Sequence, residues 1–84
     1  MPASLILPLT AAVPGHRYVV ATVRGDDALA ERLRASGVWA GAPIERLAAA
    51  PFGGPLLFRL HGYRLALRRS EAGRVDVAAA EGAL

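Results

Sequence analysis

The chain of 84 residues contains no cysteine and no lysine. The first absence excludes a disulfide framework and any thiolate metal centre, and removes dependence on an oxidising compartment. The second excludes a phosphate loop of the G-x-x-x-x-G-K-[ST] kind, whose lysine must reach the phosphates. Aromatic residues are few, with two Phe, two Tyr and one Trp, which is poor material for a surface that stacks bases. His16 and His61 are the only histidines, and no HxH or ExxH spacing gives them metal-ligand company. Ser4, Ser36 and Ser70 sit in no nucleophile-elbow context. No catalysis, no cofactor and no intrinsic metal site are therefore expected. Long apolar runs are missing as well. The uncharged apolar stretch from Leu47 to Phe58 is interrupted by Pro51, Gly53, Gly54 and Pro55, and falls short of the ~20 residues a membrane-spanning helix needs. The apolar N-terminus has no basic lead and is broken by Pro8, so it is expected to join the fold and not to act as a leader.

What is present is one domain's worth of core. The apolar fraction is 54% and the net charge +3, all of the basic charge being arginine. Acids and bases alternate closely, as in Arg24-Gly25-Asp26-Asp27 and Glu45-Arg46, with no block of like charge long enough to read as a tail. The expectation is a small protein of the cytoplasm that works by binding another macromolecule.

Pro14-Gly15 is a turn signal, and regular structure is expected to begin after it. Tyr18 to Arg24 reads as a strand, rich in β-branched and aromatic residues. Simple alternation puts Val19, Ala21 and Val23 on one face and Tyr18, Val20, Thr22 and Arg24 on the other. Asp26 or Asp27 caps a helix over Ala28–Ser36, with Leu29 and Leu33 on one side and Gly37 as its stop. Strands are expected at Ile44–Ala48, Leu56–His61, Tyr63–Arg68 and around Val75–Val77, with a loop over Pro51–Pro55, a turn over Ser70–Gly73 and a frayed tail from Ala78. About five strands and one inserted helix suggest a small barrel, because an open sheet of this size leaves an edge and an apolar face uncovered. Val19, Val23, Leu29, Leu33, Phe58, Leu60, Leu65, Leu67 and Val75 are the expected core.

The same residues resemble a known family. Pro14-Gly15 with Val19-Val20, Arg32-Leu33 followed by Gly37-Val38 and Gly41, Ala50-Pro51-Phe52-Gly53-Gly54-Pro55, and Gly62-Tyr63-x-Leu65-Ala66-Leu67-Arg68-Arg69-x-Glu71-Ala72 are similar, in order and spacing, to motifs of the ferrous iron transport protein A (FeoA) family. Ser36, Trp39, Ala40 and Gly54 depart from the family's usual residues. The resemblance implies a mainly β, SH3-like barrel. It also implies a cytoplasmic accessory role beside the FeoB permease, which carries a GTP-hydrolysing domain. A related domain ends some metal-dependent transcription repressors, and the shortness of this chain favours the stand-alone form.

A candidate contact surface follows from the helix and the turn after it. Leu29, Arg32, Leu33, Val38 and Trp39 are expected to line a groove between helix and barrel, with Trp39 as anchor, since Trp and Arg concentrate binding energy at interfaces. Trp39 could equally serve a contact between copies of the chain. The rival surface is a basic face made of Arg59, Arg64, Arg68, Arg69 and Arg74. It would suit nucleic acid, but strand-face arginines without aromatic neighbours are ordinarily solvated, so no nucleic-acid partner is expected.

Overall fold

A computed structural model describes residues 5–48 and 53–80. Six antiparallel strands form one sheet: β1 (Ile6–Pro8), β2 (Arg17–Val23), β3 (Pro43–Arg46), β4 (Leu56–Leu60), β5 (Tyr63–Leu67) and β6 (Val75–Ala79), in the order β1-β6-β2-β3-β4-β5. Helix α1 (Ala28–Ala35) bridges β2 and β3, and a single helical turn, α2 (Arg69–Ala72), bridges β5 and β6. A 3-10 turn over Leu9–Ala11 follows β1. The sheet curls so that α2 touches both β5 and that 3-10 turn, half-closing the barrel over one core.

Most expected elements appear, with corrections to the start of the fold, to β2, to the turn before β6, to the core, and to the bounds of β3 and β6. The first is that structure begins before Pro14-Gly15. β1 pairs with β6 from Ile6↔Ala78 to Pro8↔Asp76, and Leu9 is fully buried. Three residues with a proline were too short a signal, and what holds them is a partner strand distant in sequence. Second, β2 does not alternate evenly. Its register against β6 runs Val20↔Val77 and then Thr22↔Asp76, with Ala21 the extra residue. This β-bulge flips the pattern midway, so the core takes Tyr18, Val20 and Val23, while Val19 is half-buried and Ala21 exposed. The tyrosine is accepted inside because its hydroxyl takes the N–H of Val13 at 2.8 Å. Third, Ser70–Gly73 belongs to a helical turn opened by Glu71, whose carboxylate accepts from the Arg68 N–H at 2.8 Å. Last, Leu29 and Leu65 are half-buried at the margin of the core. Leu33, Phe58, Leu60, Leu67 and Val75 are buried as expected, and Leu9, Ile44, Leu56 and Val77 join them. β3 is also shorter and shifted, Pro43–Arg46; β6 extends through Ala78 and Ala79. Part of the expected Pro51–Pro55 loop and the last residues of the expected tail lie outside the described residues.

One arginine is part of this core. Arg46, 7% exposed, occupies the inward face of β3 opposite Phe58. Its Nη1 donates to the Ala12 carbonyl at 2.6 Å, and the Gly15 N–H donates to its own carbonyl at 2.7 Å. The residue therefore ties the segment after β1 to the middle of the sheet.

Candidate functional site

Helix α1 is the one sizeable element laid on the sheet, and its two ends are built differently. At its N-terminus the Asp27 side chain accepts from the Ala30 N–H at 3.3 Å, satisfying one of the donors a helix start leaves free. The Arg74 guanidinium meets the same carboxylate at 3.0 and 2.6 Å. That guanidinium first, and the Ala30 N–H second, hold the Asp27 carboxyl well below the usual carboxylate range, and Asp27 in turn raises Arg74. Arg34 reaches back from the helix to the Val23 and Gly25 carbonyls, both at 3.0 Å.

At its C-terminus the helix stops at Gly37, whose φ of 102° is open to glycine. The carbonyls left over there are taken by side chains of the β4–β5 hairpin. The Tyr63 hydroxyl donates to Ser36, and the His61 Nε2–H donates to Gly37 at 3.0 Å. A carbonyl can only accept, so Nε2 is the protonated nitrogen. His61 itself has φ 52° and is followed by Gly62 with φ 81°, the pair of positive angles that a tight hairpin turn of the primed kind requires. His61 then packs tilted against Trp39, ring centroids 4.9 Å apart, and lies 6.3 Å from the ring of Tyr63. Trp39 is 49% exposed and Tyr63 42%.

The five expected contact residues separate accordingly. Leu29, Arg32 and the edge of Leu33 border a small cleft of about 120 Å³ between α1 and β5, with Leu65, Leu67 and Glu71 across from them. Arg32 pairs with Glu71 at 2.7 Å over the cleft. Val38 does not line it: the residue is 0% exposed, and its N–H donates to Leu33 at 3.0 Å. Its place directly after the stop glycine turns it inward. Trp39 stands outside the cleft, linked to it through His61, Tyr63 and Ser36. His61 and Tyr63 were not among the expected contacts. The available signal was the His-Gly turn at the head of a strand whose first inward position is aromatic.

The expected basic face is divided by the fold. Arg74 is engaged by Asp27, and Arg68 and Arg69 sit at the start of α2. Arg59 and Arg64 alone lie opposite each other. Among the described residues, no three His, Cys, Asp or Glu side chains gather as metal ligands, and no helix is long and apolar enough to cross a membrane.

Residues 7–79 match the family model of the FeoA domain. The chain belongs to the FeoA family. Among solved structures, it is similar to the FeoA of Stenotrophomonas maltophilia complexed with zinc, an SH3 domain protein, with 37% identity, 84% of this chain and 88% of that one covered, and a TM-score of 0.74. It is also similar to an iron uptake regulatory protein, FeoA, with 31% identity, 88% and 97% coverage and a TM-score of 0.79. A manganese-dependent transcriptional repressor shares the fold alone, with 18% identity over 95% of this chain and 45% of that one, at a TM-score of 0.82. A comparison with curated protein sequences gives no match. The FeoA family, with its SH3-like fold, is associated with ferrous iron transport, and this chain shares that fold.

Proposed function

We propose that the chain is a cytoplasmic, non-enzymatic accessory protein of ferrous iron uptake that docks on a FeoB-type permease and alters its GTP hydrolysis or its transport gating. Family membership supports the iron-uptake role. The observation that carries the docking surface is Trp39, half-exposed and packed on His61 just outside the α1 cleft. A large aromatic side chain fixed in position by a neighbour, and still open to solvent, is the kind of residue on which interface energy concentrates. Leu29 and Arg32 extend that surface along the cleft.

A pull-down of the permease's cytoplasmic domain tests the proposal. Wild-type protein should be retained, and Trp39→Ala, verified as folded by circular dichroism, should bind at least about tenfold more weakly. Folded Trp39→Ala that binds like wild type removes this surface from the reading. Failure of the wild type to bind full-length permease in membranes removes the docking role itself. A generic DNA fragment serves as the control. Tight binding there at physiological salt, weakening steeply as salt rises, would replace the permease with nucleic acid.

A further inference from the structure

The sheet register lines up four charged residues on its outer face. Arg17 lies opposite Glu45, Glu45 opposite Arg59, and Arg59 opposite Arg64. Residues directly opposite in neighbouring strands project from the same face, so the four make one row across β2, β3, β4 and β5, in the order plus, minus, plus, plus. Among the described residues none of the four has an opposite charge at ion-pair distance. The ion pairs lie elsewhere, joining Arg24 to Asp76, Arg32 to Glu71 and Arg74 to Asp27. Arg59 and Arg64 are like charges directly opposite, which weakens a strand pair, and no carboxylate among the described residues forms an ion pair with either.

Part of the row borders an opening in the sheet. Pairing between β3 and β4 extends only to Glu45↔Arg59 in that direction, and Pro43 brings no N–H to prolong it. Beyond that point the strands part around a cleft of about 410 Å³, with Arg17, Glu45 and Arg59 among its lining residues and Ile44 and Leu60 beside them. The site thus offers charged groups next to apolar side chains.

We infer that this row binds an extended peptide segment whose alternate residues are acidic, basic and acidic. Two properties select that ligand. Strands lie about 4.8 Å apart, so the row is about 14 Å long, too long for one phosphate to bridge. An extended segment covers about 13 Å between its first and fifth residues, and its first, third and fifth side chains share a face. Those three side chains meet Arg17, then Glu45, then Arg59 with Arg64. Glu45 supplies the selectivity. A nucleic-acid strand or an anionic bilayer has no positive group to set against it and is repelled there, whereas a polypeptide can alternate its charges.

The test is a titration of the full-length, isotope-labelled chain, followed by nuclear magnetic resonance, with four probes: the capped pentapeptides Glu-Thr-Lys-Thr-Glu, Lys-Thr-Glu-Thr-Lys and Glu-Thr-Glu-Thr-Glu, and oligothymidylate. The first should bind at least about tenfold more tightly than the second, with shifts centred on Arg17, Glu45, Arg59 and Arg64. Arg59→Gln should weaken the first by about tenfold. Glu45→Gln should move the preference to the all-acidic peptide. Equal binding of the first two peptides, or an unchanged preference in Glu45→Gln, overturns the inference. Oligothymidylate binding more tightly than every peptide overturns it in favour of a nucleic acid. The four residues of the row are not among those lining the α1 cleft, and Arg59→Gln and Trp39→Ala change different side chains, so the two tests have separate readouts.

Discussion

The two ends of α1 solve the same problem with different materials. Each stands beside a glycine in a positive-φ conformation, Gly25 at 104° before the helix and Gly37 at 102° after it. Each glycine has a side chain from a segment distant in sequence against it. A Cβ on Gly25 would come 2.5 Å from Arg74 Nη1, and one on Gly37 would come 2.7 Å from His61 Cδ2 and 3.0 Å from the Tyr63 hydroxyl. The N-terminal end is closed by charge, through Asp27, Arg74 and Arg34. The C-terminal end is closed by aromatic rings. Ions at a surface find their partners and are then satisfied. The rings cover the helix end with their polar tips and leave their faces to solvent, and that leftover face is what makes the C-terminal end a contact surface.

The contrast can be broken most severely at Gly37. Gly37→Ala forces a left-handed backbone on a residue with a Cβ and drives that Cβ into a ring held by hydrogen bond and stacking. A loss of about 2–3 kcal/mol is expected in urea unfolding. Adding His61→Ala should return the part due to overlap but not the part due to backbone, which a double-mutant cycle separates. Gly25→Ala should cost less, about 1–2 kcal/mol, because the obstacle there is the far end of a flexible arginine. Equal losses at the two glycines would show that the ring is no stiffer than the guanidinium. Trp39→Ala is expected to cost only about 0.5–1 kcal/mol, the worth of its ring contact, while binding falls much further. The smallest effect separates the ends by pH. With its carboxyl held low in the folded state, Asp27 contributes stability that is complete above the unfolded-state value and is lost as the pH falls below about 4. The stability gap between wild type and Asp27→Asn should therefore be full at pH 7 and shrink in acid, and it should narrow in high salt because the pair is exposed. Trp39→Ala should show neither dependence.

The charge-built end was more legible in the sequence than the aromatic one. Asp27 ahead of an apolar-periodic run and Gly37 after it are local signals, and both hold their expected places. The alternation of β4 and β5 gave the hairpin and its inward residues for the same reason: register within a hairpin is a short-range property. The bulge at Ala21 left no such mark, since Val19, Val20 and Ala21 are interchangeable by hydropathy and only the pairing with β6 decides which are inside. β1 was invisible for a similar reason. At the candidate site, Arg32 and Trp39 are exposed and Leu29 is half-buried, whereas Val38 is buried and not in the groove expected for it, because a turn's direction is set by backbone angles. His61 and Tyr63 were missed because their role depends on the hairpin folding back to the end of α1.

Strand order has a consequence for how the chain is made. β6 is the last strand in the sequence, yet in the sheet it lies between β1 and β2 and pairs with both. While the protein is being synthesised, Ile6–Pro8 and Arg17–Val23 have emerged but lack the strand that joins them. Leu9 and Val20, both buried in the finished fold, have no complete core to enter. The α1 region and the β4–β5 hairpin can form early from local contacts, whereas the β1–β6–β2 seam waits for Val75–Ala79 and must then close a loop of most of the chain. A nascent chain released before that point therefore has its helix and hairpin signals intact and β2 able to pair with β3, but no partner strand for β1.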